Sequence, residues 1–310
     1  VDQDIACRKQ SPAMVRSAPS PAHASPFDLS VLKRLRRAFS DPVDHDGLDG
    51  IDPGMIADVV PILDRICTLW YRMEVQGMDR IPPGKALVVI NHQAGISFVE
   101  LLGFGARWYL ERGLDDAFHG LAHDAILDVP WLGNFLIRGG GVRANHANAD
   151  ALFPLGRKLM VAPGGNAEAF RPYRERKRIK LGGHMGFVRL ALRHGAPICP
   201  VVFDGGHETF MVLWDGASFA RLLGPIGRAL RVKTWPLFLG LPWGVAFGPL
   251  AHIPLPAKVR VRCLDPIPTA RYGPEAEHDA AVVEAVYRQV ECAMQTALDE
   301  MTAHRIPVIG

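Results

Sequence analysis

Residues 87–102 read LVVINHQAGISFVELL, and this stretch decides the fold. Leu87, Val88, Val89 and Ile90 form an unbroken aliphatic run, the pattern of a strand buried on both faces. Asn91, His92, Gln93, Ala94 and Gly95 make a polar, glycine-bearing break. Ser97 then opens a helix, with Glu100 at the spacing of a capping box. Ligands of α/β sheets usually bind outside the carboxyl ends of strands. His92 stands at such an end, where a loop exposes it and two rigid elements fix it, as a general base requires. A loop histidine bonded to backbone is the plainer alternative.

The same strand-then-break pattern recurs outward from this stretch. Lys158–Ala162 reads as a strand broken by Pro163, Gly164 and Gly165, and Ile198–Phe203 as another apolar strand. Gly186–His194 and Asn145–Leu155 read as helices, and Leu127–Ile137 as a buried helix or irregular apolar segment. Alternation of strand and helix from about residue 86 to 203 predicts an α/β fold: a mixed, largely parallel sheet flanked by helices. Glu74–Gly77 and Val259–Leu264 read as further strands. Met55–Met73 is an apolar helix that Pro61 should kink. Ala280–Met301 carries a core-packing stripe of Val283, Val286, Val290, Ala293, Ala297 and Met301.

With 48% apolar residues among 310, the chain can bury a substantial core. A net charge of +3 gives no reason to invoke nucleic acid. The five cysteines contain no CxxC pair. That spacing argues against a zinc site or disulfide framework and suits a reducing cytosol. No N-terminal stretch has the apolar core of a signal peptide. Residues 1–52 read as a tail: disordered to about residue 28, then Leu29–Phe39, then an acidic linker, Asp41–Asp52. Residues 53–310 form the folded domain. Leu29–Phe39 spaces Leu29, Leu32, Leu35 and Phe39 helically and fills the gaps with Lys33, Arg34, Arg36 and Arg37. Such a helix either lies on an anionic membrane surface or docks on the protein's own body. Trp235–Ala251 has no charge and three prolines. It is either an apolar membrane-interface surface or a set of buried loops and short strands. No segment has the continuity of a spanning helix, so a peripheral protein on the cytoplasmic face of a membrane is expected.

Three glycines between Arg138 and Arg143 would let a backbone approach an anion. No GxGxxG or Walker pattern accompanies them. Arg171–Lys180, RPYRERKRIK, sets six basic residues against Glu175 and lies between two Gly-Gly turns. His119 and His123 have helical i, i+4 spacing, but no further ligand is evident. They read as surface histidines, and no metal is implied.

From about residue 70 to 300 the chain resembles the glycerolipid acyltransferases, the superfamily of lysophosphatidate acyltransferases. INHQ (90–93) is similar to that family's first block, whose histidine is the catalytic base. GGGVRAN (139–145) is similar to the second, where an arginine meets the acceptor. APGGNAEAF (162–170) stands at the third, and Pro200 falls in the fourth. The Pro163-Gly164-Gly165 variant, with Glu168 and GFVRLALRHGAPICPV (186–201), is more similar to the diacylglycerol and monoacylglycerol acyltransferase branch.

The resemblance implies a glycerol-phosphate acyltransferase-like fold and a membrane-associated O-acyltransferase. A lipid hydroxyl would attack an acyl thioester of coenzyme A or of acyl carrier protein, with no other cofactor. His92 would be the base. Arg143, Arg171 and Arg174 would bind phosphates, and Gly164, Gly165 and Glu168 would line the substrate site. Trp131–Ile137 and Trp235–Phe247 are candidate walls for the acyl chain. Where the family's first block carries an aspartate, this chain has Ser97, or Val99 at the longer interval. Glu100 is the nearest acid. It either reaches back to His92 or caps the helix with Ser97; Glu168 and Glu208 are the other candidate partners. With no acid on His92, the fold would bind lipid or acyl-coenzyme A without turnover.

Overall fold

The computed structural model describes residues 29–95, 99–222, 224, 234–248, 250 and 252–310. The expectations for residues 1–28 and for Ser97 as a cap fall outside them. The first half of the chain forms α1 (Leu29–Ser40), α2 (Pro53–Leu69), β1 (Glu74–Gln76), β2 (Ala86–Ile90), α3 (Val99–Arg112), β3 (Phe118–Ala122), α4 (Asp124–Leu127), α5 (Pro130–Arg138), β4 (Gly141–Arg143) and α6 (His146–Leu152). The second half forms β5 (Lys158–Val161), α7 (Gly165–Ala169), α8 (Gly186–His194), β6 (Ile198–Asp204), α9 (Gly206–Thr209), β7 (Met211–Trp214), α10 (Ala217–Leu222), β8 (Leu237–Gly240), β9 (Gly244–Phe247), β10 (Arg260–Cys263) and α11 (Ala280–Thr302).

Seven strands form one sheet in the order β1-β10-β6-β2-β5-β3-β4. Strands β6, β2, β5, β3 and β4 run parallel, while β10 runs antiparallel to β6 and carries β1 beside it. The expected mixed, largely parallel sheet is therefore present. Every residue of β2 is buried, as its unbroken aliphatic run requires. Its side chains alternate between two cores. Leu87 and Val89 pack with α8 and α11 through Val188, Leu192, Val286 and Val290. Val88 and Ile90 pack on the other face with Cys67, Phe104 and Trp108 of α2 and α3. Period-two alternation with helices on both faces puts β2 at the centre. The carboxyl ends of β2, β5 and β6 thus lie side by side along one edge.

The basic helix α1 docks on the body. Phe39 stacks on Phe135 of α5 with ring centroids 4.7 Å apart, and Ala38 is buried. Asn134 Nδ2 donates to Phe39 O at 3.0 Å, and Arg34 Nη2 donates to Asp58 of α2 at 2.8 Å. The following stretch, 41–52, is packed as well: His45 bonds Asn134 at 3.0 Å, and Asp52 caps α2. Phe135 and Asn134 of the Trp131–Ile137 segment serve this docking. The residues around Trp235–Ala251 form a second sheet, β7-β8-β9. Its inner face buries Val212, Phe238 and Ala246 against Phe210. Its outer face exposes Trp214, Val245 and Phe247. Pro249 and Ala251 lie outside the described residues.

One buried charge ties the main sheet to α3. The side chain of Lys158, at the start of β5, is 1% exposed and bonds Asp116. Its Nζ also lies 5.7 Å from the Trp108 ring centroid. Removing one member of a buried pair leaves an uncompensated charge, at a cost of about 3–5 kcal/mol. Asp116→Ala should lose stability on that scale in urea unfolding, whereas Asp265→Ala, at an exposed pair with Arg80, should change it by less than about 1 kcal/mol.

Candidate active site

The break after β2 is zipped onto β6 by its own polar side chains. Asn91 exchanges two hydrogen bonds with the Phe203 backbone, Nδ2 to O at 2.9 Å and N to Oδ1 at 2.7 Å. Gln93 Oε1 accepts the Gly206 N–H at 3.1 Å. Asn91 and Gln93 face inward, and His92 between them faces the other way, with 18% of its side chain exposed. Gly95 has φ +55°, and a Cβ there would meet the Phe210 ring at 2.5 Å. The left-handed conformation and the aromatic contact together require glycine.

Glu100 answers the missing aspartate. Its Oε1 accepts from His92 Nδ1 at 2.6 Å, from the Gln93 N–H at 2.7 Å and from the Ala94 N–H at 2.9 Å. A carboxylate can only accept, so the ring donates from Nδ1, and in the neutral ring the lone pair lies on Nε2. Among the described residues no partner is recorded for that Nε2. Burial alone would push His92 down. The Glu100 carboxylate, bonded to the ring, and then Glu168 outweigh it, and the ring's pKa is raised. Burial likewise pushes Glu100 up, but His92 and the two backbone donors reverse this and hold its pKa down. Both directions describe an ion pair that stabilises a proton on the imidazole.

Glu168 holds the same histidine from behind. Its Oε2 accepts the His92 backbone N–H at 3.0 Å, and its Oε1 accepts the Lys180 N–H at 3.1 Å. It is fully buried, so it does not line the substrate site. Arg171, expected to bind phosphate, has 1% of its side chain exposed. Its Nη1 lies 3.5 Å from Glu168 Oε1, and its Nε donates to His207 Nε2 at 2.8 Å. No solvent-facing donor remains to meet an anion. Glu208 turns away from His92: Arg305 Nη2 bonds its Oε2 at 2.7 Å.

Other expected residues are also placed differently. Arg143 ends β4, three strands from β2 along the sheet. It is held by Asp46, Asp128 and Asp124 at 2.7, 2.9 and 3.3 Å. The preceding glycines serve packing. A Cβ on Gly140 would meet Phe118 O at 2.6 Å, and one on Gly141 would meet Leu136 O at 2.9 Å. Arg174 is exposed, with Glu175 3.9 Å away. Gly164 admits Glu168, whose Oε2 a Cβ would meet at 2.4 Å. The Gly165 N–H is engaged by Ala162 O at 3.1 Å. His119 and His123 are not on one helix. His119 is buried in β3, and burial pushes its pKa down to about 4. His123 caps α4 through Ala125 N. A groove of about 550 Å³ lies at the β1–β10 edge, lined by Gln76, Arg80, Arg262 and Glu300, and contains none of these groups.

The family profile described as Acyltransferase matches residues 72–204, the span from the approach to β1 through β6. An uncharacterized protein of Mycobacterium tuberculosis is 31% identical over 293 residues, 92% of this chain and 78% of that one. The mouse DGAT1/2-independent enzyme synthesizing storage lipids is 24% identical over 282 residues, 90% of this chain and 73% of that one. Among solved structures, the 1-acyl-sn-glycerophosphate acyltransferase PlsC of Thermotoga maritima superposes with a TM-score of 0.51. It covers 89% of each chain at 16% identity, a likeness of fold.

The His92–Glu100 bond has a direct spectroscopic consequence. With Glu100→Gln the ring loses the charge that opposes its burial, so its pKa should fall. Titration of the His92 ring by NMR should place the midpoint above about 6.5 in the parent and below it in the variant.

Proposed function

The chain belongs to the glycerolipid acyltransferase superfamily, and from that premise we propose that it moves an acyl group from an acyl thioester to a glycerolipid hydroxyl with His92 as general base. The observation that carries this reading is the 2.6 Å bond between His92 Nδ1 and Glu100 Oε1. It supplies the carboxylate that the first block lacks at Ser97, and with it the reason to favour turnover over binding alone. The lipid hydroxyl approaches His92 Nε2 and gives up its proton as its oxygen attacks the thioester carbonyl. The imidazolium that forms is supported by Glu100 and, through the backbone, by Glu168. Collapse of the tetrahedral adduct expels the thiolate of coenzyme A or acyl carrier protein, which takes up the proton from His92. No covalent enzyme intermediate is needed.

An uncharged acceptor, a mono- or diacylglycerol, suits the site better than a phosphorylated one. Arg143 is neutralised by three aspartates and Arg171 is buried against Glu168. The resemblance to a relative named for storage-lipid synthesis runs the same way. The membrane contact is assigned to the outer face of the small sheet. Trp214, Trp243, Val245 and Phe247 are exposed there. Leu69 and Trp70 at the end of α2 are exposed too, and Trp70 Nε1 donates to Pro254 O at 2.9 Å. Aromatic side chains favour the lipid–water interface. Among the described residues no helix is long and apolar enough to cross a membrane, and the contact proposed is peripheral, on the cytoplasmic face.

Three outcomes follow. His92→Ala should lower thioester-dependent acylation in vesicles at least ~100-fold; parental activity in that variant rules out His92 as base. In a panel with labelled acyl-coenzyme A, mono- or diacylglycerol should be acylated faster than lysophosphatidate. Trp243→Ser with Val245→Glu should weaken sedimentation with phosphatidylcholine vesicles at least ~10-fold, since a buried large apolar side chain is worth about 1.5–3 kcal/mol. Undiminished sedimentation would move the contact elsewhere, with α1 the next surface to test.

A further inference from the structure

Two carboxylates hold His92, and only one of them touches its ring. Glu168 is fully buried and touches the backbone. With it are buried a guanidinium and a second imidazole, those of Arg171 and His207. Burying such groups is costly unless their hydrogen bonds close on one another. Here they do. His92 N–H donates to Glu168, Arg171 lies between Glu168 and His207, and Gly206, the neighbour of His207, donates its N–H to Gln93, the neighbour of His92. The circuit returns to its start after joining the carboxyl ends of β2, β5 and β6.

The protonation states along the circuit are dictated by chemistry. A guanidinium has no acceptor, so His207 Nε2 must accept from Arg171 and its proton must sit on Nδ1. Burial first, then Arg171 and His92, keep His207 neutral by pushing its pKa well down. Glu168 is approached by donors from both sides, Lys180 N–H and Arg171 on Oε1 and His92 N–H on Oε2. Gly164 must be glycine for this, because a Cβ would meet Lys180 O at 2.2 Å and Glu168 Oε2 at 2.4 Å. The charged and titratable groups around His92 are therefore Glu100 from α3, Glu168 from α7, Arg171 just beyond it, and His207 from α9.

We propose that Glu168 is a positioning residue for His92, held in place by Arg171 and His207. The circuit fixes the backbone at His92 so that the ring can turn only about its own bonds, with Nδ1 committed to Glu100 and Nε2 presented outward. Burial pushes the Glu168 pKa up, while Arg171 and the His92 and Lys180 N–H groups favour its ionised form; as a carboxylate it adds to the field that supports the imidazolium during proton transfer. This rests on the reading of His92 as the base.

The test uses the full chain with acyl-coenzyme A and a vesicle-borne acceptor. Glu168→Gln keeps an acceptor oxygen but removes the charge. It should lower kcat at least ~10-fold with KM little changed, and move the acid limb of kcat/KM down by about one pH unit. The sign follows from the loss of a negative charge that favours protonated His92. Glu168→Asp keeps the charge but draws it away from His92 N–H, so kcat should fall with the acid limb in place. A purely structural role predicts a lower melting temperature in both variants with the parental pH profile, and that result overturns the proposal. Should Glu168→Gln fail to fold, Arg171→Lys removes the bond to His207 while keeping the charge. A fall in kcat at constant KM supports the proposal, and an unchanged kcat overturns it. Loss of His92 dependence would instead defeat the underlying reading, whatever Glu168 does.

Discussion

A single carboxylate oxygen, Glu100 Oε1, organises the loop on which the site depends. It accepts three N–H groups within 2.9 Å: the His92 ring, Gln93 and Ala94. Gln93 and Ala94 are both buried, and losing the bond to a buried donor costs about 1–3 kcal/mol. The turn thus holds the carboxylate through two backbone donors besides the ring. The ring then finds an acceptor already fixed by the turn and by the first turn of α3. A preformed acceptor of this kind loses little freedom when His92 engages it. Glutamate fits the task because seven residues separate it from His92. The longer interval sets the acid farther along the helix, and the extra methylene reaches back.

Several cations of the motif regions meet groups of the protein itself. Arg143 is met by aspartates from the 41–52 stretch and from α4, and Arg171 by Glu168. Lys180 pairs with Glu175, and Arg176 lies over Tyr173 with its guanidinium carbon 4.1 Å from the ring centroid. Basic residues in this protein mostly hold segments together. Beside the His92 ring the ionised form of Glu100 is favoured, and this charge favours a proton on the imidazole over an anion beside it.

The strands were legible because burial on both faces demands unbroken aliphatic runs, and Leu87–Ile90 and Ile198–Phe203 are short runs of that kind bounded by breaks. His92 was legible from its block and its place at a strand end. Glu100 stood out as the nearest acid, but the choice among it, Glu168 and Glu208 depends on which loop folds back, and that is a tertiary fact. Arg143 and Arg171 misled for a related reason. Their counter-charges, Asp46 among them, lie up to 97 positions away, and a sequence shows a charge without showing its neutralisation. His207, Asn91 and Gln93 carried no signal beyond polarity next to an apolar run. A polar pair flanking His92 at alternate positions was the one available hint that a strand end was being tied down. The amphipathic α1 fits docking and membrane contact equally on paper, because both require the same apolar stripe. Phe39 on Phe135 shows where part of that stripe goes.

The small sheet connects the proposed membrane surface to the chemistry through one aromatic. Phe210 begins the segment leading into β7, is buried, and packs against Phe170, Phe238 and His252 with ring centroids 5.9, 4.7 and 4.7 Å away. The position a Cβ would take on Gly95 lies 2.5 Å from its ring, three residues from His92. On the opposite face of the same three strands, Val245 and Phe247 are open to solvent. A sheet this thin has no separate interior: strain applied to its outer face is carried to Phe210 by residues packed at close contact. A lipid surface bearing on Val245 and Phe247 would press on the element that seats Gly95. The small sheet and the loop that carries His92 thus share the Phe210 cluster.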